Sequence, residues 1–303
     1  MDIVERIKNN FNKGFFDKAM PIEEMPDKFP AWTIKSNSWI GVAVPTENYT
    51  PFTEHFSNVK LWTAENVSID DNEYNLLMLT CSEMDLRNEF AIICSQFIQP
   101  GVNGTDRENI VSSPDTWWRR WKNLLGNMNG DKEPYPVLGE LIALEYLLKN
   151  GKNPTWSGAE QATHDLETNT DSYEVKSTIM RYNYEVTINS IYQMDKTGRS
   201  LKLVFFRFEK SNLGTSIDEI VNRIISMGYP EEKIEKALKN HQLEKGCVAR
   251  TLKYKVLESK QYNVDENFPA ITMSSFKNDM LPKHITRITY TVDLSGVSGE
   301  NIK

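Results

Sequence analysis

Between Pro136 and Phe208 the chain runs helix, strands, short helix, strand, and this order constrains the fold more than anything else in its 303 residues. Val137–Lys149 has helical apolar spacing and meets a stop at Asn150-Gly151. His164–Thr168 and Tyr173–Met180 read as strands around a polar turn. Val186–Asn189 extends or follows them, Ser190–Lys196 reads as a short helix, and Leu201–Phe208 is a strongly apolar strand. Two amphipathic helices, Ile217–Met227 and Glu231–Leu243, come next, and His284–Leu294 is again β-like.

The N-terminal third differs. Trp39-Ile-Gly-Val-Ala-Val-Pro, Val59-Lys-Leu-Trp, Tyr74-Asn-Leu-Leu-Met-Leu-Thr and Phe90-Ala-Ile-Ile-Cys are short β-like runs, separated by turns such as Asp70-Asp71-Asn72. The loop Gln99-Pro-Gly-Val-Asn-Gly-Thr-Asp is the natural boundary, giving a β-rich module over 1–103 and a second domain over 104–303. After it, Ser113 or Asp115 caps a helix in which Trp117, Trp121 and Leu124, beside Trp118 and Leu125, follow the spacing of a buried face. Arg119, Arg120 and Lys122 interleave with them as a solvated basic face. Net charge is −7, but residues 1–110 hold 9 Lys and Arg against 17 Asp and Glu, whereas the remainder holds 26 against 25. Acidity therefore sits in the first module, and the rest is balanced, which neither excludes nor favours a nucleic-acid partner.

The chemistry lies in Glu174-Val175-Lys176 and the upstream Asp165. Side chains alternate along a strand, so Glu174 and Lys176 share a face. With a two-residue loop at Asn169-Thr170, position 165 stands opposite 174, and opposed residues have Cβ atoms about 4.5–5.5 Å apart. A three-residue loop would break that alignment. Two opposed carboxylates repel unless a cation lies between them, and a hard divalent ion with oxygen ligands suits the pair. Such an ion acidifies a water and neutralises charge on a phosphate, while a neighbouring lysine orients the water or stabilises developing negative charge. Glu140 adds weight. At 100° per residue, Val137, Leu144, Leu147 and Leu148 fall within about 80° of it, placing it in the apolar stripe, with Glu145 on the opposite side. A buried carboxylate is costly unless paired or metal-bound. By themselves, Glu174 and Lys176 read better as a solvated strand face, while Asp165 is open to reading as a turn-proximal surface residue and Glu140 as the partner of an interior lysine. Their conjunction in this order shifts the balance.

These segments resemble the PD-(D/E)XK nuclease superfamily and, more narrowly, the bacterial PD-(D/E)XK motif proteins of restriction and phage-defence clusters. The matching pieces are Gly139-Glu140-Leu141, Trp156-Ser157-Gly158, His164-Asp165-Leu166, Tyr173-Glu174-Val175-Lys176-Ser177-Thr178, Ile188-Asn189-Ser190 with Gln193, and Ile288-Thr289-Tyr290. The resemblance is clear over 136–210 and looser elsewhere. It implies an α/β fold with a restriction-endonuclease-like core, a mixed central sheet flanked by helices, beside the β-rich module. It also implies Mg²⁺-dependent cleavage of DNA, with Mn²⁺ able to substitute. Asp165 and Glu174 carry over as metal ligands and Lys176 as the catalytic lysine. Glu140 carries over as the helix carboxylate, on the metal or on its water, and Gln193 as an active-site or backbone contact. His164 stands where the superfamily's proline is expected, which weakens the signature more than the chemistry. A companion ATPase, methyltransferase or other defence protein and a homodimer are the expected partners. The alternative is a non-catalytic subunit that keeps the fold to bind DNA or a partner.

Other features point elsewhere. His55, His164, His241 and His284 show no metal spacing, and His164 should face away from Asp165 and pack. Cys81, Cys94 and Cys247 suit reduced thiols better than disulfides or a zinc site. Ser177, Thr178 and Ser190 lack a base for covalent catalysis. No phosphate-binding glycine loop occurs. Lys233, Lys236, Lys239 and Lys245 alternate with Glu231, Glu232 and Glu235 as an ordinary solvated pattern. The first residues, MDIVERIKNN, lack a secretory apolar core, and no run reaches the roughly 18 apolar residues of a membrane span. A cytoplasmic protein without membrane partners is expected.

Overall fold

The computed structural model describes residues 1–13, 16–124, 133–157, 163–196 and 198–302. They form two compact units, Met1–Lys132 with Lys245–Val248, and Glu133–Glu244 with Ala249–Lys303. The loop expected as a boundary near Gly101 lies within the first unit.

In the first unit, helix α1 (Ile3–Lys13) precedes strands β1 (Lys18–Pro21), β2 (Trp32–Lys35), β3 (Ile40–Pro45), β4 (Thr53–Phe56), β5 (Val59–Ile69) and β6 (Asn72–Cys81). Helices α2 (Arg87–Ile98), α3 (Thr105–Ser112) and α4 (Pro114–Leu124) follow. The strands make one antiparallel sheet, ordered β1-β2-β3-β6-β5-β4. Asp70 and Asp71, both left-handed (φ 47° and 64°), turn the β5–β6 hairpin. Alternation sends Ile40, Val42, Val44, Leu77 and Leu79 to the helix-covered face, and Ala43, Leu76 and Met78 to the other. The Phe90–Cys94 run is helical, not a strand. Within α2, Phe90, Ala91, Cys94, Phe97 and Ile98 are buried at helical spacing, and so short an apolar run does not separate the two states by itself. On α4, Trp118 is buried and Trp117 and Trp121 are half-buried, while the side chains of Leu124 and Leu125 lie outside the described residues. The returning segment Lys245–Val248 is pinned to β4. Thr53 N–H donates to the Gly246 carbonyl (3.2 Å), and Val248 N–H donates to the Glu54 carboxylate (2.8 Å).

The second unit begins with α5 (Tyr135–Lys149). Strands β7 (Thr155–Trp156), β8 (Leu166–Glu167), β9 (Asp171–Thr178), β10 (Glu185–Ile188) and β11 (Ser200–Thr215) follow, with a 3₁₀ turn at Ile191–Met194 before β11. Then come α6 (Ile217–Ser226), α7 (Glu231–Asn240), β12 (Tyr254–Asn263), β13 (Tyr290–Asp293) and β14 (Glu300–Asn301). The sheet order is β14-β12-β11-β9-β8-β7, with β9 and β11 parallel and the remaining pairs antiparallel. This is the expected mixed sheet of an α/β fold. The β-like stretch His284–Leu294 reduces to β13, which pairs with β10 outside the main sheet. The long strand β11 supplies the core. Its Leu201, Leu203 and Phe205 pack with Val186, Ile188, Tyr262 and Val292, while Phe206 meets α5. A Ser216–Glu219 capping box starts α6. Helix α5 lies between β9 and β11 on one side and α6 on the other. It therefore has no open polar face, and Glu145, expected to point away from the core, is buried against Arg223 of α6 (2.7 Å) and Lys149 (3.1 Å). Among the described residues no helix is long and apolar enough to cross a membrane.

Candidate active site

The β8–β9 hairpin sets the geometry. Leu166 pairs with Tyr173 and Glu167 with Ser172, and Thr168 N–H donates to the Asp171 carbonyl (2.8 Å), so the loop is the two residues Asn169-Thr170. The Thr168 hydroxyl also accepts from Asp171 N–H (2.9 Å), closing the turn. Continuing this register places Asp165 opposite Glu174. Because β8 begins only at Leu166, among the described residues no strand pairs with β9 on that side from Glu174 onward. Asp165 fills the gap, its Oδ2 accepting from Val175 N–H (2.7 Å). An unsatisfied strand amide is costly when buried, so this bond fixes the carboxylate at the open edge.

Glu174, only 1% exposed, is gripped at one oxygen. Its Oε1 pairs with Lys176 Nζ (2.8 Å) and accepts from Gln193 Nε2 (2.6 Å), while Oε2 is buried without a hydrogen-bond partner. Gln193 is itself oriented, since its Oε1 accepts from Asn189 N–H (2.8 Å), so it bridges the Glu174 carboxylate and the backbone. Ser190 caps that 3₁₀ turn through Tyr192 N–H.

Alternation along β9 turns Ser177 toward α5. A Cβ on Gly139 would lie 2.2 Å from Ser177 Oγ, so only glycine allows the helix to approach this closely. The close approach brings in Glu140. Its Oε2 accepts from Trp156 Nε1 (2.7 Å), and Trp156 in turn stacks on His241 (6.0 Å, 6° between planes) and donates its backbone N–H to the Tyr229 hydroxyl (3.1 Å). His164 is buried, as its position across the strand from Asp165 led us to expect.

All three carboxylates are held where their charge is disfavoured. Burial raises Glu140 well above the ordinary carboxylate range, and the Asp165 and Glu174 charges add to it, against the Trp156 hydrogen bond and Lys176. Burial also raises Asp165, opposed by the Val175 N–H and Lys176. Glu174 is pushed up to about 8 by burial and Asp165, despite Lys176 and Gln193. Folding thus gathers Glu140, Asp165, Glu174, Lys176 and Gln193 into one electrostatic neighbourhood. Among the described residues, however, no three His, Cys, Asp or Glu side chains are arranged to hold an ion as they stand.

The donor set nevertheless fits a hard divalent cation. Each carboxylate has one oxygen fixed by a nitrogen donor, and Glu174 Oε2 is orphaned in the interior. Magnesium takes only one or two protein carboxylates and fills the rest of its shell with water or phosphate oxygen. The sequence indicated all five of these residues. It gave no role in the site to Trp156, Gly139 or Ser177, although all three lie in segments that carry the family resemblance.

No curated protein and no solved structure matches the chain. A family model does, over residues 33–295, and its span includes strands β3 to β6 of the first unit and every residue of this site. The chain therefore belongs to the family DUF4420, described as "Putative PD-(D/E)XK family member".

Proposed function

We propose that the chain is a metal-dependent nuclease that hydrolyses DNA phosphodiester bonds. One observation carries this reading: burial raises all three acids, Asp165 raises Glu140 and Glu174 further, and a buried Glu174 oxygen is left unpartnered beside Lys176. Such an arrangement opposes folding unless a cation neutralises it. A divalent ion, Mg²⁺ or Mn²⁺, supplies Lewis acidity toward a phosphate oxygen and acidifies water. Asp165 and Glu174 would hold it, with Glu140 as a third ligand or a contact to its water. Gln193 keeps Glu174 from rotating, and Trp156 does the same for Glu140. The Lys176 ammonium orients the attacking water and stabilises the charge that develops on the phosphate. Burial and the Asp165 and Glu174 charges disfavour the ionised form of Glu140, and the oxygen that Trp156 does not hold would meet the ion or its water in that form.

Restriction or phage defence as the setting, a companion ATPase or methyltransferase, and a homodimer in which each site cuts one strand all follow from the family resemblance. The test is cleavage of supercoiled plasmid by the purified protein with Mg²⁺, Mn²⁺ or EDTA, beside Lys176→Ala. We expect metal-dependent nicking or linearisation that falls at least about 100-fold in the variant. Equal cleavage by both proteins would show that the site is wrong. Failure to cut with either metal would leave a DNA- or partner-binding subunit, and a parallel RNA substrate separates ribonuclease action.

A further inference from the structure

The chain that leaves the site carries apolar and aromatic side chains into solvent. Immediately after β9, Ile179 is 44%, Met180 61% and Tyr182 86% exposed, and Tyr192, beside Gln193, is 53% exposed. Exposed apolar residues scattered singly need no explanation, but several around a candidate active site do. Tyr182 and Tyr192 stand beyond the two ends of β10. Lys176 and Tyr182 are six residues apart, at most about 20 Å of chain, which equals roughly six nucleotides at 3.4 Å each. Tyr192 is nearer, because the next residue touches Glu174.

The loop is built rather than loose. Buried Arg207 of β11 donates through Nη1 to the Arg181 carbonyl (2.6 Å), and its guanidinium pairs with Glu258 and lies over the Tyr184 ring (4.3 Å). Met180 N–H donates to Thr178 Oγ1 (3.1 Å), and Glu185 N–H donates to Asn183 Oδ1 (2.8 Å). A buried arginine is costly to place, and part of this one's donor fork goes to a single loop carbonyl. That fixes the backbone from which Arg181 and Tyr182 project into solvent.

Net charge limits how a nucleic-acid strand could be held here. From residue 111 onward basic and acidic residues nearly balance, 26 against 25, so a polyanion would gain little from bulk electrostatics and would need contacts of another kind. Aromatic rings beside one basic side chain provide stacking surfaces for bases, with Arg181 as a local phosphate contact. We propose that Tyr182 and Tyr192 stack on the exposed faces of nucleobases in the strand held at the site. This rests on the nuclease reading above. The base faces come either from an unpaired strand or from a duplex opened at the site.

The test is fluorescence anisotropy with labelled single-stranded and blunt duplex oligonucleotides, in Ca²⁺ so that binding is read without turnover. Tyr182→Ala should raise Kd about 5- to 150-fold, with Tyr182→Phe near wild type and the slope of log Kd against log salt unchanged. Arg181→Ala should lower that slope by about one. A larger loss on the single strand identifies unpaired bases as the source, and an equal loss on the duplex identifies opened pairs. The proposal is overturned if Tyr182→Ala binds as wild type does, if Tyr182→Phe is as weak as Tyr182→Ala, or if no oligonucleotide binds, in which case the ridge faces a protein. Oligonucleotide binding that depends on Tyr182 without plasmid cleavage would instead overturn the nuclease reading alone.

Discussion

Replacing Glu174 by glutamine should make the metal-free protein more stable, in a pH-dependent way. In the folded chain the Glu174 carboxyl titrates near 8, against an ordinary 4.5, because burial and Asp165 oppose its charge more than Lys176 and Gln193 favour it. Between these values the folded protein holds a proton that the unfolded chain has released, so unfolding becomes easier as pH rises. Stability tied to this group is complete below 4.5 and is lost progressively as pH climbs to about 8. At 1.36 kcal/mol per decade, the rise corresponds to a ceiling of about 5 kcal/mol above pH 8 and about 3 kcal/mol at pH 7. Glutamine keeps the shape and one acceptor oxygen but carries no charge, so Glu174→Gln should match wild type near pH 4.5 and exceed it by several kcal/mol at pH 8.5. For a unit of this size that is on the order of 10 °C in melting temperature. Denaturant unfolding in EDTA, repeated across this range, reads the difference directly. Adding Mg²⁺ or Mn²⁺ should narrow it, because the ion stabilises wild type and has lost a ligand in the variant. A Glu174→Gln protein that is less stable than wild type at pH 8.5 in EDTA, or a difference that ignores pH, would refute the reasoning.

Three further outcomes follow from the same packing. Trp156→Phe keeps the ring against His241 but removes the donor that lowers Glu140, so the acid limb of the cleavage profile should move to higher pH and the rate should fall by about tenfold. An unmoved limb with normal folding would mean that Glu140 does not take part in the proton balance. Gly139→Ala should cost about 1–3 kcal/mol in denaturant unfolding, because its methyl would meet Ser177 Oγ at 2.2 Å, and adding Ser177→Ala should recover most of that. Arg250→Ala should cost about 3–5 kcal/mol in the same assay, since the buried guanidinium joins Asp218 (2.6 Å), Glu235 (2.7 Å) and the Leu243 carbonyl (3.3 Å), and its removal leaves those acids unpaired.

What could be read in the sequence divides along a physical line. The Asp165–Glu174 pairing was legible because strand parity has a period of two and a two-residue loop fixes the register without tertiary information. Glu140 was legible because a carboxylate in an apolar stripe violates a burial rule and calls for a cause. Glu145 misled, since a helical wheel assumes one wet side, whereas α6 covers the far side of α5 and supplies Arg223 across 78 positions of sequence. The Phe90 run misled for a related reason: five apolar residues satisfy either period, and only the sheet packed beneath α2 decides between them. Trp156 and the Gly139–Ser177 approach were out of reach because each obeys every local rule, and their importance arises only when two distant segments meet. Residues that do the proposed chemistry stand out in a sequence because they are held in unfavourable surroundings, while those that hold them there look ordinary. A search of other sequences of this family for the site should therefore begin with the misplaced acids, and its supporting residues should be sought in coordinates.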